Sequence, residues 1–148
     1  MISQDQNITI QKAEKSQIQW INDVYQQIGF IASNYDTEYI AIANKGTVAC
    51  GLGRITHIDQ ENLELGGMYV FEEFRGMGIA NEIVKHLLTQ SDQTKKIWCL
   101  PFSHLANFYW QFGFKNHEEY NFEIPKKVLS KYKWCNDTYN DKVLLLVK

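Results

Sequence analysis

Apolar and polar positions alternate over "ITIQKA", residues 8–13, which predicts a short first strand. The spacing then lengthens. Ile18, Ile21, Tyr25 and Ile28 recur at helical pitch, and the helix they predict ends near Gly29. "EYIAIAN", the turn signal "NKG" and "TVACGLGRITHI" read as a β-hairpin, and beyond the polar "DQEN" the run "LELGGMYVF" makes a further strand. Strands in such close succession imply antiparallel pairing. From Gly78 the pattern is helical again, with Ile79, Ile83, Val84, Leu87 and Leu88 on one face and Asn81, Glu82, Lys85 and His86 on the other. "KKIWCLPF" follows as a buried strand, and a strand, a helix and a strand in that order predict a right-handed crossover with one parallel pair. "SHLANFYWQF" reads as a helix capped by Ser103, with Leu105, Phe108, Tyr109 and Phe112 facing inward and Gly113 as its stop. The tail predicts a strand around "EEYNFEI", a helix opened by Pro125 and a last strand, "KVLLLVK". The fold class is therefore α/β (α+β), with a mixed, mostly antiparallel sheet.

Composition changes this picture little but excludes much. The 148 residues show no repeat, no low-complexity tract and no linker, which predicts a single domain over 1–148. Apolar residues make up 45% and charged residues 22%, and no apolar run has the length to cross a bilayer. The start, "MISQDQNITIQKAEK", lacks a signal pattern, so a cytoplasmic protein with no membrane partner is expected. A net charge of −2 gives no global attraction to nucleic acid, and none is expected as a partner; an anionic ligand would be held by local groups. Cys50, Cys99 and Cys135 are odd in number and far apart, which predicts reduced thiols. His57, His86, His104 and His117 share no metal-ligand spacing. No metal is expected.

The stretch with the most chemistry in it is "RGMGIA", Arg75 to Ala80, which lies where a strand passes into a helix N-terminus. Free backbone N–H groups and the helix dipole favour an anion there, and glycines let it come close. The plainer reading is that Gly76 and Gly78 serve a tight turn. Two phosphate motifs are absent: the dinucleotide fingerprint needs glycine where Asn81 stands, and the P-loop needs Gly-Lys-Ser/Thr. Gly66-Gly67, inside the preceding strand, marks a bulge or a close approach of another chain segment.

Taken together, "LELGGMYVFEEFRGMGIANEIVKHLL" resembles the acetyl-CoA signature of the GNAT superfamily of N-acetyltransferases, with Arg75, Gly78 and Ala80 in its Arg/Gln-x-x-Gly-x-Gly/Ala positions. "LANFYWQFGF" is similar to the family's next helix, where Tyr109 stands four residues before the pair Gly113-Phe114. The order of elements fits along nearly the whole chain. One departure is an Asn common near the start of that second helix, whose place falls at Phe102. Asn107 is a poor substitute, because two residues at helical pitch put it about 200° round from Tyr109. The resemblance implies a parallel strand pair splayed around the cofactor, helices on both sheet faces and acetyl-CoA as co-substrate. It assigns the pyrophosphate to Arg75, Gly76, Met77, Gly78, Ile79 and Ala80, the pantetheine arm and thioester to the backbone of Met68, Tyr69 and Val70, and a further cofactor contact to Ala106.

The implied reaction, attack of a primary amine on a thioester, needs a base for the amine and an acid for the departing thiolate. The resemblance offers Tyr109 as the acid, whose ordinary pKa near 10 keeps it protonated at neutral pH. By its position alone Tyr109 reads as a core aromatic. Glu64, on the strand leading to Met68, is the base candidate, acting through water; its plain reading is a solvated or ion-paired carboxylate. Glu72 and Glu73 read as exposed loop residues and His104 as a helix-start residue. The Pro-opened tail helix is similar to that of N-acetylglutamate-synthase-like members, which implies a small-molecule amine as acceptor. A protein N-terminus or lysine, and a non-catalytic acetyl-CoA-binding module, stay open, as does a homodimer.

Overall fold

The structure is a computed structural model that describes residues 7–148. Its elements are β1 (Ile8–Lys12), α1 (Ile18–Gln27), β2 (Glu38–Lys45), β3 (Val48–Asp59), β4 (Asn62–Val70), α2 (Ile79–Gln90), β5 (Lys96–Cys99), α3 (Ala106–Trp110), β6 (Lys115–Asn116), α4 (Lys126–Thr138) and β7 (Leu146–Val147). The strands form one sheet in the order β1-β2-β3-β4-β5-β7-β6. β4 and β5 are parallel, from Asn62↔Lys96 to Leu65↔Cys99, as the crossover predicts. β1 runs antiparallel to β2, and β7 antiparallel to both β5 and β6. Among the described residues no helix is long and apolar enough to cross a membrane.

The chain forms two compact units, with the division falling in β3 after Ile55 and in β4 after Gly66. The first unit runs through Ile55 and again over Gly67–Ser91. Its core is the apolar stripe of α1, Ile21, Val24 and Tyr25, buried with Ile40, Ile42 and Leu52. α2 comes unusually close to β3 because Gly51 and Gly53 have no side chains: a Cβ on Gly53 would sit 2.6 Å from Ile83 Cγ2. The second unit, Thr56–Gly66 with Asp92–Lys148, is built around Trp98, Val128, Leu145 and Val147. Trp98 is fully buried, and its Nε1 donates to Asn62 Oδ1 at 2.8 Å, so the one polar atom of the ring is satisfied.

Three expectations about the second unit need correction. The predicted helix over 103–112 is a 3-10 turn, Ser103–Leu105, followed by only five residues of α3. Phe102, not Ser103, occupies the cap: Ser103 is already the first residue of the 3-10 turn, and its N–H donates to the Lys142 carbonyl at 2.8 Å. Leu105 points outward at 40% exposure, and the buried face is Ala106 with Tyr109. "EEYNFEI" is not a strand: the Asn116 side chain accepts from Glu118 N and winds the chain into a 3-10 turn, while Tyr120 and Phe122 stack on each other, centroids 4.8 Å apart, at the surface. The last strand shortens to Leu146–Val147, and Val143 contributes an isolated bridge to Phe102.

Candidate active site

In the first unit β4 runs to Val70 and passes through a 3-10 turn, Glu72–Phe74, before Arg75 leads into α2. Gly76 and Gly78 have φ of +84° and +78°, a region that residues with a Cβ avoid, so the tight-turn reading of the glycines holds. The space is also open, because a Cβ on either would meet nothing within 4 Å. The first α-helical bond runs from Glu82 N to Gly78 O, so the N–H groups of Ile79 and Ala80 lie ahead of it, where the helix offers them no carbonyl. Ile79 is buried and anchors the helix start. Arg75 braces the loop: its Nε donates to Val70 O at 2.9 Å and its guanidinium lies 5.5 Å from the Tyr69 ring centroid. Lys45 Nζ, 3.7 Å from Met77 Sδ, adds a cation beside the turn. Met68, Tyr69 and Val70 are thus the last residues of β4, and Arg75–Ala80 lead from the 3-10 turn into the first turn of α2.

Just upstream, Gly67 has φ of +61°, the left-handed conformation that glycine bulges use. What comes close there belongs to the same unit. A Cβ on Gly67 would stand 2.6 Å from Tyr25 Oη and 2.7 Å from Arg54 Nε. The Tyr25 hydroxyl donates to Gly67 O at 2.8 Å, and the Arg54 guanidinium stacks 4.5 Å over the Tyr25 ring. Arg54 in turn donates to Ser33 Oγ at 2.5 Å and faces Glu38 at 3.8 Å, beyond hydrogen-bond reach. Glu38 Oε1 is buried with no hydrogen-bond partner, so that ion pair is coulombic only. Burial raises the Tyr25 phenol above its ordinary value, against the opposing pull of Arg54.

The second unit holds the other candidates. Glu64 is 5% exposed, and its Oε2 accepts from Lys131 Nζ of α4 at 2.6 Å. The plain reading of this carboxylate as ion-paired therefore describes its resting state. Tyr109 is 5% exposed, packed edge-on against Phe108 and Phe114. Burial, and then the neighbouring Cys99 sulfur, push its phenol well above the ordinary range. The Cys99 thiol is itself raised, first by burial and then by the Glu64 carboxylate, so Cys99 is under the influence of Glu64 and in turn acts on Tyr109. Ala106 is buried on the same face of α3 as Tyr109, while Asn107 is exposed, as helical pitch requires. Glu72 and Glu73 are exposed loop residues, and His104 is exposed with its ring stacked on Phe102.

Lys131, Arg54 and Glu38 carry no sequence signal for these positions. Lys131 stands in a charged helix face like any other, and only the fold brings it 67 positions back to Glu64. Tyr25 was legible as an inward residue of α1, but its hydroxyl's partner was not.

The architecture is that of known acetyltransferases. Naa50 of Arabidopsis thaliana, solved with the bisubstrate analogue CoA-Ac-MVNAL, superposes with a TM-score of 0.66 at 13% identity, covering 95% of this chain and 97% of its own. A GNAT family acetyltransferase of Elizabethkingia anophelis with acetyl-CoA bound gives 0.66 at 17% identity, covering 95% and 97%. N-acetylglutamate synthase of Neisseria gonorrhoeae, complexed with coenzyme A and N-acetyl-glutamate, gives 0.69 at 13% identity, covering 99% of this chain and 36% of its own. No curated protein matches. The acetyltransferase (GNAT) domain family matches residues 35–116, more than half of the chain, and the protein belongs to that family.

Proposed function

We propose that the protein is an acetyl-CoA-dependent N-acetyltransferase that moves the acetyl group to a primary amine of a small molecule by direct attack in a ternary complex. The observation that carries this is the Arg75–Ala80 turn, two left-handed glycines with open space above them at the start of the twelve-residue α2, in a chain of the GNAT family. N–H donors and the helix dipole would hold the pyrophosphate with Lys45 beside them, and no step calls for a metal. The amine attacks the thioester carbon, the C–N bond forms and the C–S bond breaks. Tyr109 gives its proton to the departing sulfur, and the amine's proton leaves through water to Glu64. Lys131 occupies Oε2, so Oε1 is the oxygen left for that water. The small-molecule acceptor rests on the resemblance of the Pro-opened α4 to that of N-acetylglutamate-synthase-like members.

Thiol release from acetyl-CoA, followed over a panel of small primary amines and peptide N-termini, tests the reading; release with peptides alone would overturn the small-molecule acceptor, and no release with any would overturn the reaction. Two variants refine it. Met77→Glu places a carboxylate at an exposed position between the two glycines without altering their backbone, and should weaken acetyl-CoA binding at least about tenfold, less at high salt. Calorimetry at two salt concentrations reads this directly. Glu64→Gln should lower turnover at neutral pH, recover part of it as pH rises and the free amine becomes abundant, and leave acetyl-CoA affinity unchanged. A pH–rate profile equal to that of the wild type would leave the amine's proton to solvent.

A further inference from the structure

The hydroxyl of Tyr25 is fully buried, and the hydrogen bond it makes is to the backbone of β4 at its kink, at Gly67 O. We propose that Tyr25 is a positioning residue for the transfer: by holding the Gly67 carbonyl, its hydroxyl sets the peptide between Gly67 and Met68 so that the Met68 N–H is aimed at the thioester carbonyl. The inference rests on the acetyl-CoA reading above. A trans peptide is planar, and its C=O and N–H point in opposite directions. Fixing one therefore fixes the other. Glycine is the residue whose neighbouring peptide most needs such fixing, since at φ of +61° it has no Cβ to limit rotation.

The surroundings are built to hold the phenol still. The Tyr25 ring is stacked on Phe30, centroids 5.9 Å apart, with Arg54 lying 4.5 Å over it. Arg54 is tied to Ser33 Oγ, and Ser33 is held by both ends of the Asn22 amide, at 2.6 Å and 3.1 Å. Asn22 and Tyr25 lie one turn apart on α1, so the chain of contacts closes on itself. The raised phenol stays protonated, and remains a donor, through any working pH.

Tyr25→Phe keeps the ring and removes only the donor. Turnover should fall about 10–100-fold, the scale of misaiming one donor at a developing oxyanion. Affinity for free coenzyme A, which lacks the acetyl carbonyl, should stay within about twofold, since only the carbonyl contact is disturbed. A lower melting temperature with unchanged turnover of the folded enzyme would reduce Tyr25 to a structural residue and overturn the proposal. If the variant does not fold, the wild type decides: the Met68 amide resonance should move on adding acetyl-CoA and move less on adding coenzyme A. Equal shifts with both ligands would overturn the aim of Met68, while acetyl-CoA binding itself stands. A wild type that binds no acetyl-CoA would instead overturn the functional reading and this inference with it.

Discussion

Tyr109→Phe is expected to bind acetyl-CoA as the wild type does and to turn it over about 10²–10⁴-fold more slowly, the usual contribution of a general acid. The substitution keeps the ring that packs edge-on against Phe108 and Phe114 and removes only the hydroxyl. Burial, then Cys99, raise this phenol, so it keeps its proton across the working pH range. Any loss of wild-type rate through its ionisation must therefore set in above the ordinary tyrosine value near 10, and that limb should vanish in the variant. Stability provides the control for this limb. Tyr25 and Tyr109 both have folded-state values raised above the unfolded ones, so the stability they contribute is complete below about 10 and is lost as pH rises further. Melting curves at each pH separate that loss from catalysis. Thioesters with better leaving thiols should suffer less from the substitution, because they need the proton least. Turnover within a factor of about two of wild type, or a collapse in melting temperature, would remove Tyr109 from the acid role.

The second large effect is on stability. Gly67→Ala should cost about 3 kcal/mol, the sum of a left-handed φ for a residue with a Cβ and of overpacking against Tyr25 Oη and Arg54 Nε, each within 2.7 Å of the new atom. For a chain of this size the melting temperature should drop by roughly 10 °C. The neighbouring Gly66→Ala is the contrast. Its Cβ would meet only Glu64 Oε2, at an ordinary 3.5 Å, and Gly66 is not among the left-handed glycines, so the change should stay within about 1 kcal/mol. Equal losses at the two positions would show that β4 merely dislikes substitution there and that the kink is not specific to Gly67.

How legible each part was in the sequence follows the range of the forces that shape it. β2, β3 and β4 hold unbroken buried runs and α2 buries one helical stripe, and apolar stretches bounded by turn signals exposed them with little error at the ends. Phe102 to Phe112 misled because its aromatic residues keep helical spacing although the segment opens as a 3-10 turn and is α-helical only over Ala106–Trp110. Tyr120 and Phe122 alternate like a strand but stack on each other, and Phe122 is covered by the Lys96 ammonium at 4.8 Å. In the candidate site, Arg75 to Ala80 was visible because a turn into a helix is a local event. The partners of Glu64 and Gly67 were not, since Lys131 and Tyr25 arrive from other elements, 67 and 42 positions away, and nothing in either residue type marks its destination.

The three cysteines, Cys50, Cys99 and Cys135, are all buried, and burial raises each thiol. The native enzyme is therefore nearly invisible to a chromogenic thiol reagent, which reacts with exposed thiolate. In an assay of product formation the colour counts coenzyme A alone, with little background from the catalyst. Once the chain opens, the same reagent reads three equivalents per molecule, so one cuvette reports both turnover and the moment the enzyme is lost.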